Sequence, residues 1–229
     1  APAERLLTLL DSPSEESRIL EDIPRHTGTI TFENVSFTYE NADAPAVNTI
    51  SLTIEHGQRV AIVGPNGSGK TTLLSLLPRL LQPSSGEICI EGVNIQNANL
   101  QSLRSQMGVV TQETVLFKDT IASNIRFGCS ATREEVERVA AQAHADSFIQ
   151  TLEDGFDTVI YEQGTSLSGG QRQRLAIARA LLRDPSIFNG FIVAQNAQSN
   201  DYSREAAENK QASAGLQLWS AARGRCFHK

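Results

Sequence analysis

Hydrophobic and polar residues alternate with a period of two along two segments in the first quarter of the chain, Thr29–Tyr39 and Thr49–Ile54. Because successive side chains of a strand point to opposite faces, this alternation predicts two half-buried strands, which we expect to pair antiparallel. Short apolar runs predict further strands at residues 59–63, 87–90 and 108–111.

A helical period replaces the strand pattern in the second half of the chain. Residues 131–150 carry apolar positions at helical spacing, with acidic residues close to the start, where they favour the positive end of a helix. Another helix is predicted from Ser168 to Arg183, because this segment is rich in good helix formers and stops before Asp184-Pro185. The pattern indicates an α/β domain with a helical lobe at about residues 113–170.

A glycine-rich segment joins the apolar run at 59–63 to a predicted helix that begins near Lys70. Glycine lets the backbone turn so that its N–H groups face inward and bind an anion, while a lysine and a hydroxyl at this spacing reach nucleotide phosphates and Mg²⁺. A glycine-rich turn is the alternative, but the spacing, the lysine, the threonine and the flanking elements all favour a nucleotide site. The predicted phosphate loop comprises Gly64, Asn66, Gly67, Ser68, Gly69, Lys70, Thr71 and Thr72.

A second glycine motif opens the helix predicted at residues 168–183. A serine hydroxyl followed by two glycines at a helix start is a further anion site, formed here by Ser168, Gly169, Gly170 and Gln171. A plain helix cap is the alternative. The string 167–177 is more specific than a cap requires, so we include it in the candidate site.

Together the two motifs resemble the nucleotide-binding domain of ATP-binding cassette (ABC) transporters over residues 1–187. Residues 64–72 match the family's Walker A motif, and 167–174 match its signature. The resemblance implies a P-loop NTPase-like core sheet, an antiparallel β subdomain and an inserted helical lobe, with the C-terminal strands incomplete. It also implies ATP and Mg²⁺ as cofactors.

The resemblance assigns roles to individual residues. Gln112 matches the Q-loop glutamine, which touches Mg²⁺ and the attacking water, and Thr71 is the second Mg²⁺ ligand. Tyr39 lies where an aromatic residue stacks on adenine, although a core aromatic at a strand end remains the alternative. Two cassettes pack head to tail in this family, so Ser168 and Gly170 of one would contact the γ-phosphate held by Lys70 and Thr71 of the other.

Several segments resemble the exporter branch of the family, in which a membrane domain precedes the cassette on the same chain. They are residues 115–117, 120–121, 124–125 and 154–158, although Tyr161 stands where a glycine is usual. The resemblance implies that residues 1–28 are a connector from a transmembrane partner domain, at the cytoplasmic face of a membrane. Because the chain starts at Ala1 and its only methionine is Met107, we expect a piece of a longer protein.

The family pattern is lost after Ile187. The family has an apolar strand ending in Asp-Glu here, whereas residues 188–200 contain no acidic residue. Aligning 191–194 as the strand would place Gln195 and Asn196 at the acidic positions, and an amide neither carries negative charge nor accepts a proton near neutrality. His228 has no predicted strand before it, so the family's histidine role is not assigned to it. Residues 188–229 are expected to be a divergent, weakly ordered tail, arising from a frameshift, a misread splice site, a truncation or a decayed paralogue.

Net charge and the length of apolar runs exclude some of the remaining classes of function. The net charge of −6 comes with no basic stripe, so we expect no nucleic-acid partner. No apolar run is long enough for a membrane helix, so we expect the chain itself to be soluble, with Cys89, Cys129 and Cys226 as free thiols. Two hypotheses stay open: a catalytic exporter cassette, and a binding-only module that pairs with an intact cassette. A kinase or GTPase would make the signature string a coincidence.

Overall fold

The computed structural model describes residues 20–111, 114–161 and 166–190, together with the backbone of two short strands at 217–220 and 225–227. Its elements, in chain order, are the strands β1 Thr29–Phe37, β2 Val47–Glu55, β3 Val60–Val63, β4 Ser85–Ile90, β5 Val93–Asn94, β6 Met107–Val110, β7 Asp119–Thr120, β8 Val159–Ile160, β9 Ile187–Gly190, β10 Gln217–Ser220 and β11 Arg225–Phe227, and the helices α1 Lys70–Leu76, α2 Leu100–Ser105, α3 Ile121–Arg126, α4 Arg133–Gln142, α5 Asp146–Ile149 and α6 Gly169–Leu182.

Four strands form an antiparallel sheet in the order β2-β1-β4-β5. The inward side chains of β1 are Ile30, Phe32, Val35 and Phe37, all of which are buried. The period of two breaks once, because a register shift lies between Phe32 and Val35 against β2. The predicted antiparallel pair is therefore confirmed, with a bulge that returns the apolar side chains to the core face.

Strand β3 precedes the phosphate loop and helix α1 follows it, and both pack against the core of this sheet. Leu73 and Leu76 of α1 pack in one hydrophobic cluster with Phe32, Ile88 and Leu103. Strand β6 pairs in parallel with β9, with Met107 opposite Ile187 and Val110 opposite Gly190. Strand β3 pairs antiparallel with β10, which pairs in turn with β11.

A helical lobe follows β6, as the helical periodicity predicts. Its helices α3, α4 and α5 pack with α6 around a second hydrophobic cluster that includes Ile121, Ile125, Val139, Ile149 and Leu175. The short antiparallel pair β7–β8 closes the lobe. Two capping boxes set helix starts here, one at Thr132 for α4 and one at Ser168 for α6.

The fold class predicted from the sequence is confirmed, and one strand extends beyond a predicted limit. Strand β9 reaches Gly190, so regular structure continues past Ile187, where the family pattern ends. Cys89 and Cys129 are free thiols. None of the helices within the described ranges is long and apolar enough to span a bilayer.

Candidate functional site

The predicted phosphate loop lies between β3 and α1, in the strand, loop and helix order that its sequence context predicts. Gly67 and Gly69 adopt φ values of 83° and 84°, a left-handed conformation that disfavours residues with a Cβ. At Gly69 a Cβ would also collide with the backbone carbonyl oxygen of Ala46. Glycine is therefore required at position 69 by both dihedral angle and space.

The Lys70 ammonium group folds back over this loop. Its Nζ donates to the carbonyl oxygens of Gly64, at 2.9 Å, and Pro65, at 2.7 Å. Both acceptors are neutral, so an anion in the loop is an electrostatically better partner for the lysine. The Ser68 hydroxyl is buried and has no hydrogen-bond partner among the described residues. An orphaned hydroxyl beside a lysine fits a phosphate group, which accepts from both.

Tyr39 and Thr72 meet at the edge of the loop. The Tyr39 hydroxyl lies 3.0 Å from Thr72 Oγ1, and its ring packs edge-on against Phe37 with centroids 4.8 Å apart. Tyr39 is 47% exposed whereas Thr72 is buried. The ring therefore has a free portion beside the phosphate loop, as an adenine-stacking residue needs, and is not a core aromatic.

The remaining residues of the first motif lie on the exposed side of the loop. Asn66 and Thr71 are both exposed. Thr71 is the second residue of α1, where its hydroxyl can contribute an oxygen ligand to Mg²⁺. Gln112 lies outside the described residues, two positions after the last residue of β6.

The second glycine motif forms the N-terminus of α6. The Ser168 hydroxyl oxygen accepts from the Gln171 backbone N–H at 3.3 Å, and Gln171 Oε1 accepts from the Ser168 N–H at 2.8 Å. The motif therefore is a helix cap, which was the plainer interpretation of its sequence. Its two glycines are not explained by the cap.

Nothing in the part of the chain that the structure describes requires glycine at positions 169 and 170. Neither adopts a positive φ. A Cβ at Gly170 would meet nothing within 4 Å, and one at Gly169 would meet only a terminal nitrogen of Arg172, at 4.0 Å. Both residues are exposed. Glycine at such positions permits close approach by a group from outside the chain.

The two motifs are held by different hydrophobic clusters. Leu73 and Leu76 anchor the phosphate-loop helix in the cluster shared with the antiparallel sheet. Leu167 and Leu175 anchor the signature motif in the cluster of the helical lobe. Each motif is therefore rigid with respect to its own lobe.

The sequence pattern does not predict two further features of the structure, a long-range hydrogen bond and an exposed aromatic patch. Asn189 in β9 is buried, and its Nδ2 donates to the carbonyl oxygen of Leu74 in α1 at 2.9 Å. The bond ties β9 to the phosphate-loop helix across 115 residues of sequence, so no local spacing could indicate it.

The second feature is an exposed aromatic patch, which we define as Val115, Phe117 and Phe127. These residues are 61%, 42% and 50% exposed, and the two phenylalanine rings stack at 4.3 Å. The Arg179 guanidinium lies over both rings and donates to the Val115 carbonyl oxygen at 3.0 Å. Burial, followed by the charge of Arg183, lowers the pKa of Arg179.

Comparisons with known proteins agree with this geometry. A family model described as "ABC transporter" matches residues 47–189, so the match ends inside β9. The chain is 44% identical over 212 residues to an ATP-dependent lipid A-core flippase of Chromobacterium violaceum, covering 91% of this chain and 36% of that protein. It is 46% identical over 189 residues to a protein of the same description from Dechloromonas aromatica, covering 82% of this chain and 32% of that one.

Among solved structures, a bacterial Atm1-family ABC exporter with ATP bound matches with a TM-score of 0.75 and 39% sequence identity, covering 81% of this chain and 33% of that one. The chain spans about a third of the length of these relatives.

Proposed function

Since the chain belongs to the ABC transporter family, as an ATP-binding cassette of the exporter type, we propose that it binds Mg²⁺–ATP at residues 64–72 and closes on it against Ser168–Gln171 of a second cassette. The glycine pair at 169–170 carries this proposal. It is exposed, has ordinary dihedral angles and has open space around each Cβ position. A facing phosphate group of a partner's nucleotide is a group that would need that space.

The residues of the first motif, together with Tyr39 and Gln112, contact different parts of the nucleotide and its metal. Lys70 turns from its two carbonyl acceptors to the β- and γ-phosphates, and the buried Ser68 hydroxyl gains the acceptor it lacks. Tyr39 stacks on adenine through its exposed ring. Thr71 and Gln112 would hold Mg²⁺. A metal held there would neutralise negative charge on the nucleotide phosphates.

A membrane domain is the second proposed partner, and through it the cassette lies at the cytoplasmic face of a membrane. Residues 1–28 form the connector, 29–187 the cassette with its lobe at about 113–170, and 188–229 a divergent tail. The exposed aromatic patch supports this partner, because contiguous apolar surface rimmed by arginine is typical of a protein interface. Binding of nucleotide between two cassettes would then be transmitted to the membrane domain.

A binding-only module is the second candidate, and strand β9 favours it. The strand reads Ile187-Phe188-Asn189-Gly190 and has no carboxylate. The ten residues after it contain no Asp or Glu either. A general base for water attack must accept a proton, and neither asparagine nor glutamine does so near neutrality. We therefore propose absent or very weak hydrolysis by this chain.

One sample can test both statements. Equilibrium binding of labelled ATP in the presence of Mg²⁺ is measured together with phosphate release. We expect saturable binding that Lys70→Ala abolishes, with no phosphate release above the Lys70→Ala background. Lys118→Ala is the matched control, because it removes an exposed lysine outside the loop. Equal binding by the wild type and Lys70→Ala would refute the site, and lysine-dependent phosphate release would refute the binding-only candidate.

A further inference from the structure

Residues 20–28, the described part of the predicted connector and here named the connector segment, are hydrogen-bonded to the cassette along the backbone. The Asn99 N–H donates to the Glu21 carbonyl oxygen at 2.8 Å, and the Ile23 N–H donates to Ser102 Oγ at 3.0 Å. The Ile23 side chain is buried in the cluster that also holds α1. The connector segment is therefore docked and is not a loose tether.

Gln106 is the point at which the connector segment meets the core strands. Its Oε1 accepts from the His26 N–H at 2.8 Å and from the Ser186 hydroxyl at 3.1 Å. Its Nε2 donates to the carbonyl oxygens of Pro24, at 3.3 Å, and Ser102, at 3.4 Å. Only 7% of Gln106 is exposed. A buried amide with its donors and acceptor engaged on both sides holds those sides in one geometry.

The backbone of Gln106 also sets the start of two strands. Its carbonyl oxygen accepts from the Ile187 N–H at 3.1 Å, which is the first residue of β9. Met107, the next residue, begins β6 and lies opposite Ile187 in the parallel pair. A shift of Gln106 therefore displaces the beginning of both strands.

Strand β9 passes the constraint on to the phosphate loop. The buried Asn189 side chain donates to the Leu74 carbonyl oxygen of α1, whose first residue is Lys70. Hydrogen bonds and the backbone of β9 thus connect His26 in the connector segment, through Gln106 and Asn189, to the helix that follows the phosphate loop.

Two further side-chain contacts hold the connector segment, a hydrogen bond of His26 and an ion pair of Arg25. His26 Nδ1 lies 2.7 Å from Glu91 Oε1, which also accepts the N–H groups of Thr27 and Gly28. Arg25 pairs with Asp184 at 2.9 Å, just after the end of α6. The Arg25 pair is exposed and contributes little, so the buried contacts of Gln106 and His26 dominate docking.

We propose that Gln106 is a positioning residue that couples docking of the connector segment to the nucleotide loop. Nucleotide binding at residues 64–72 then tightens docking of residues 20–28, and by thermodynamic reciprocity tighter docking raises nucleotide affinity. The nucleotide arm of this inference rests on the proposed function. The arm that joins the connector segment to β9 does not depend on nucleotide.

The first experiment measures amide hydrogen exchange in the full chain without nucleotide. Ser102→Ala removes the acceptor of the Ile23 N–H but touches neither β9 nor the loop. We expect faster exchange at Ile23 and, through Gln106, about fivefold faster exchange at Ile187, with Ser102→Thr restoring both. Faster exchange at Ile23 with no change at Ile187 would overturn the proposal.

The second experiment adds saturating Mg²⁺–ATP. We expect slower exchange at Ile23 and His26 in the wild type, and loss of this response in Asn189→Leu although that variant still binds ATP. An unchanged response in Asn189→Leu would contradict the route through β9. If calorimetry shows that the wild type binds no ATP, the proposed function fails while the first experiment still decides the link from connector to β9.

A direct variant completes the design. Gln106→Met keeps the length of the side chain and removes its polar atoms. In this background we expect Ser102→Ala to speed amide exchange at Ile23 but no longer at Ile187. Should Gln106→Met fail to fold, Ser186→Ala removes one of the two donors to Gln106 Oε1 and Ser186→Thr restores it. Exchange at His26 that is equal in both Ser186 variants and the wild type would refute the role of Gln106 as a shared acceptor.

Discussion

Replacing Gly170 by alanine should stabilise the isolated chain and weaken its pairing. Gly170 is the second residue of α6, its φ is ordinary, and a Cβ there meets nothing within 4 Å. Alanine is favoured over glycine by about 0.8–1.0 kcal/mol in a helix interior, and by roughly half of that in the first turn. Because 1 kcal/mol shifts the melting temperature of a domain of this size by about 2–4 °C, we expect a rise of about 1–2 °C.

The same methyl group should act with the opposite sign on assembly. If Gly170 faces the phosphates of a partner's nucleotide, the added carbon enters a closed contact. Overpacking such a contact costs about 1–3 kcal/mol, which corresponds to a roughly 5- to 150-fold weaker pairing. Sedimentation velocity with and without Mg²⁺–ATP, on the chain alone and mixed with an intact exporter cassette, measures the pairing. Thermal unfolding of the same samples measures stability.

Gly69→Ala is the matched control, since it makes the same chemical change in the other motif. Gly69 has φ 84°, and a Cβ added there would collide with the Ala46 carbonyl oxygen. Alanine at this position should therefore destabilise the chain by at least about 2 kcal/mol. Lower stability in Gly69→Ala, together with higher stability and weaker pairing in Gly170→Ala, would show that the first glycine serves the fold and the second an external contact. A Gly170→Ala chain that is more stable and pairs as well as the wild type would refute the interface.

Two further predictions concern residues that follow strands of the antiparallel sheet, Glu91 after β4 and Tyr39 after β1. Hydrogen bonds from the Gly28 N–H first, and then from His26, hold the pKa of Glu91 below the ordinary glutamate value of about 4.3. Its carboxylate therefore stabilises the fold above that pH, and this stabilisation is lost as pH falls through the lowered pKa. Glu91→Gln should therefore melt lower than wild type at pH 7 and lose less of its melting temperature between about pH 5 and 3; parallel melting curves would contradict this. Tyr39→Phe removes the hydroxyl that contacts Thr72 and keeps the ring, so ATP affinity should be retained, whereas Tyr39→Ala should weaken it about fivefold or more. Equal affinities in titration calorimetry would show that the ring does not contact adenine.

The elements that sequence reasoning identified are those whose signals are local. Alternation over eleven residues predicts β1, because a strand with one buried face must repeat every two residues. Ser168 and Gln171 lie three residues apart and form the capping box that begins α6. The bulge in β1 was not predicted, since two exposed residues in succession at Glu33 and Asn34 are also compatible with a strand end.

The residues that sequence reasoning missed depend on distant partners. Gln106 bonds to His26 and Ser186, each 80 residues away, and Asn189 bonds to Leu74, 115 residues away. A glutamine after a short helix or an asparagine in a short strand has no periodic signature. Their roles arise only when the chain folds and leaves a buried amide whose hydrogen bonds must be made.

The boundary between the two lobes explains how such distant contacts can matter for a cassette. Each glycine motif is anchored in its own hydrophobic cluster. Because packed clusters resist deformation, a movement of one motif relative to the other strains the fold least when the whole lobe moves with it. At the boundary, α6 meets β6 through small side chains, with Ala176 and Ala180 against Val110. The Pro185 ring lies 2.8 Å from the position that a Cβ on Gly108 would take, so this contact also requires a small residue. Gln106 bonds to Ser186, in the segment that joins α6 to β9, and to Ile187 at the start of β9. A rotation of the helical lobe would therefore act on the same residues as docking of the connector segment. Coupling between them therefore needs no long relay through either core.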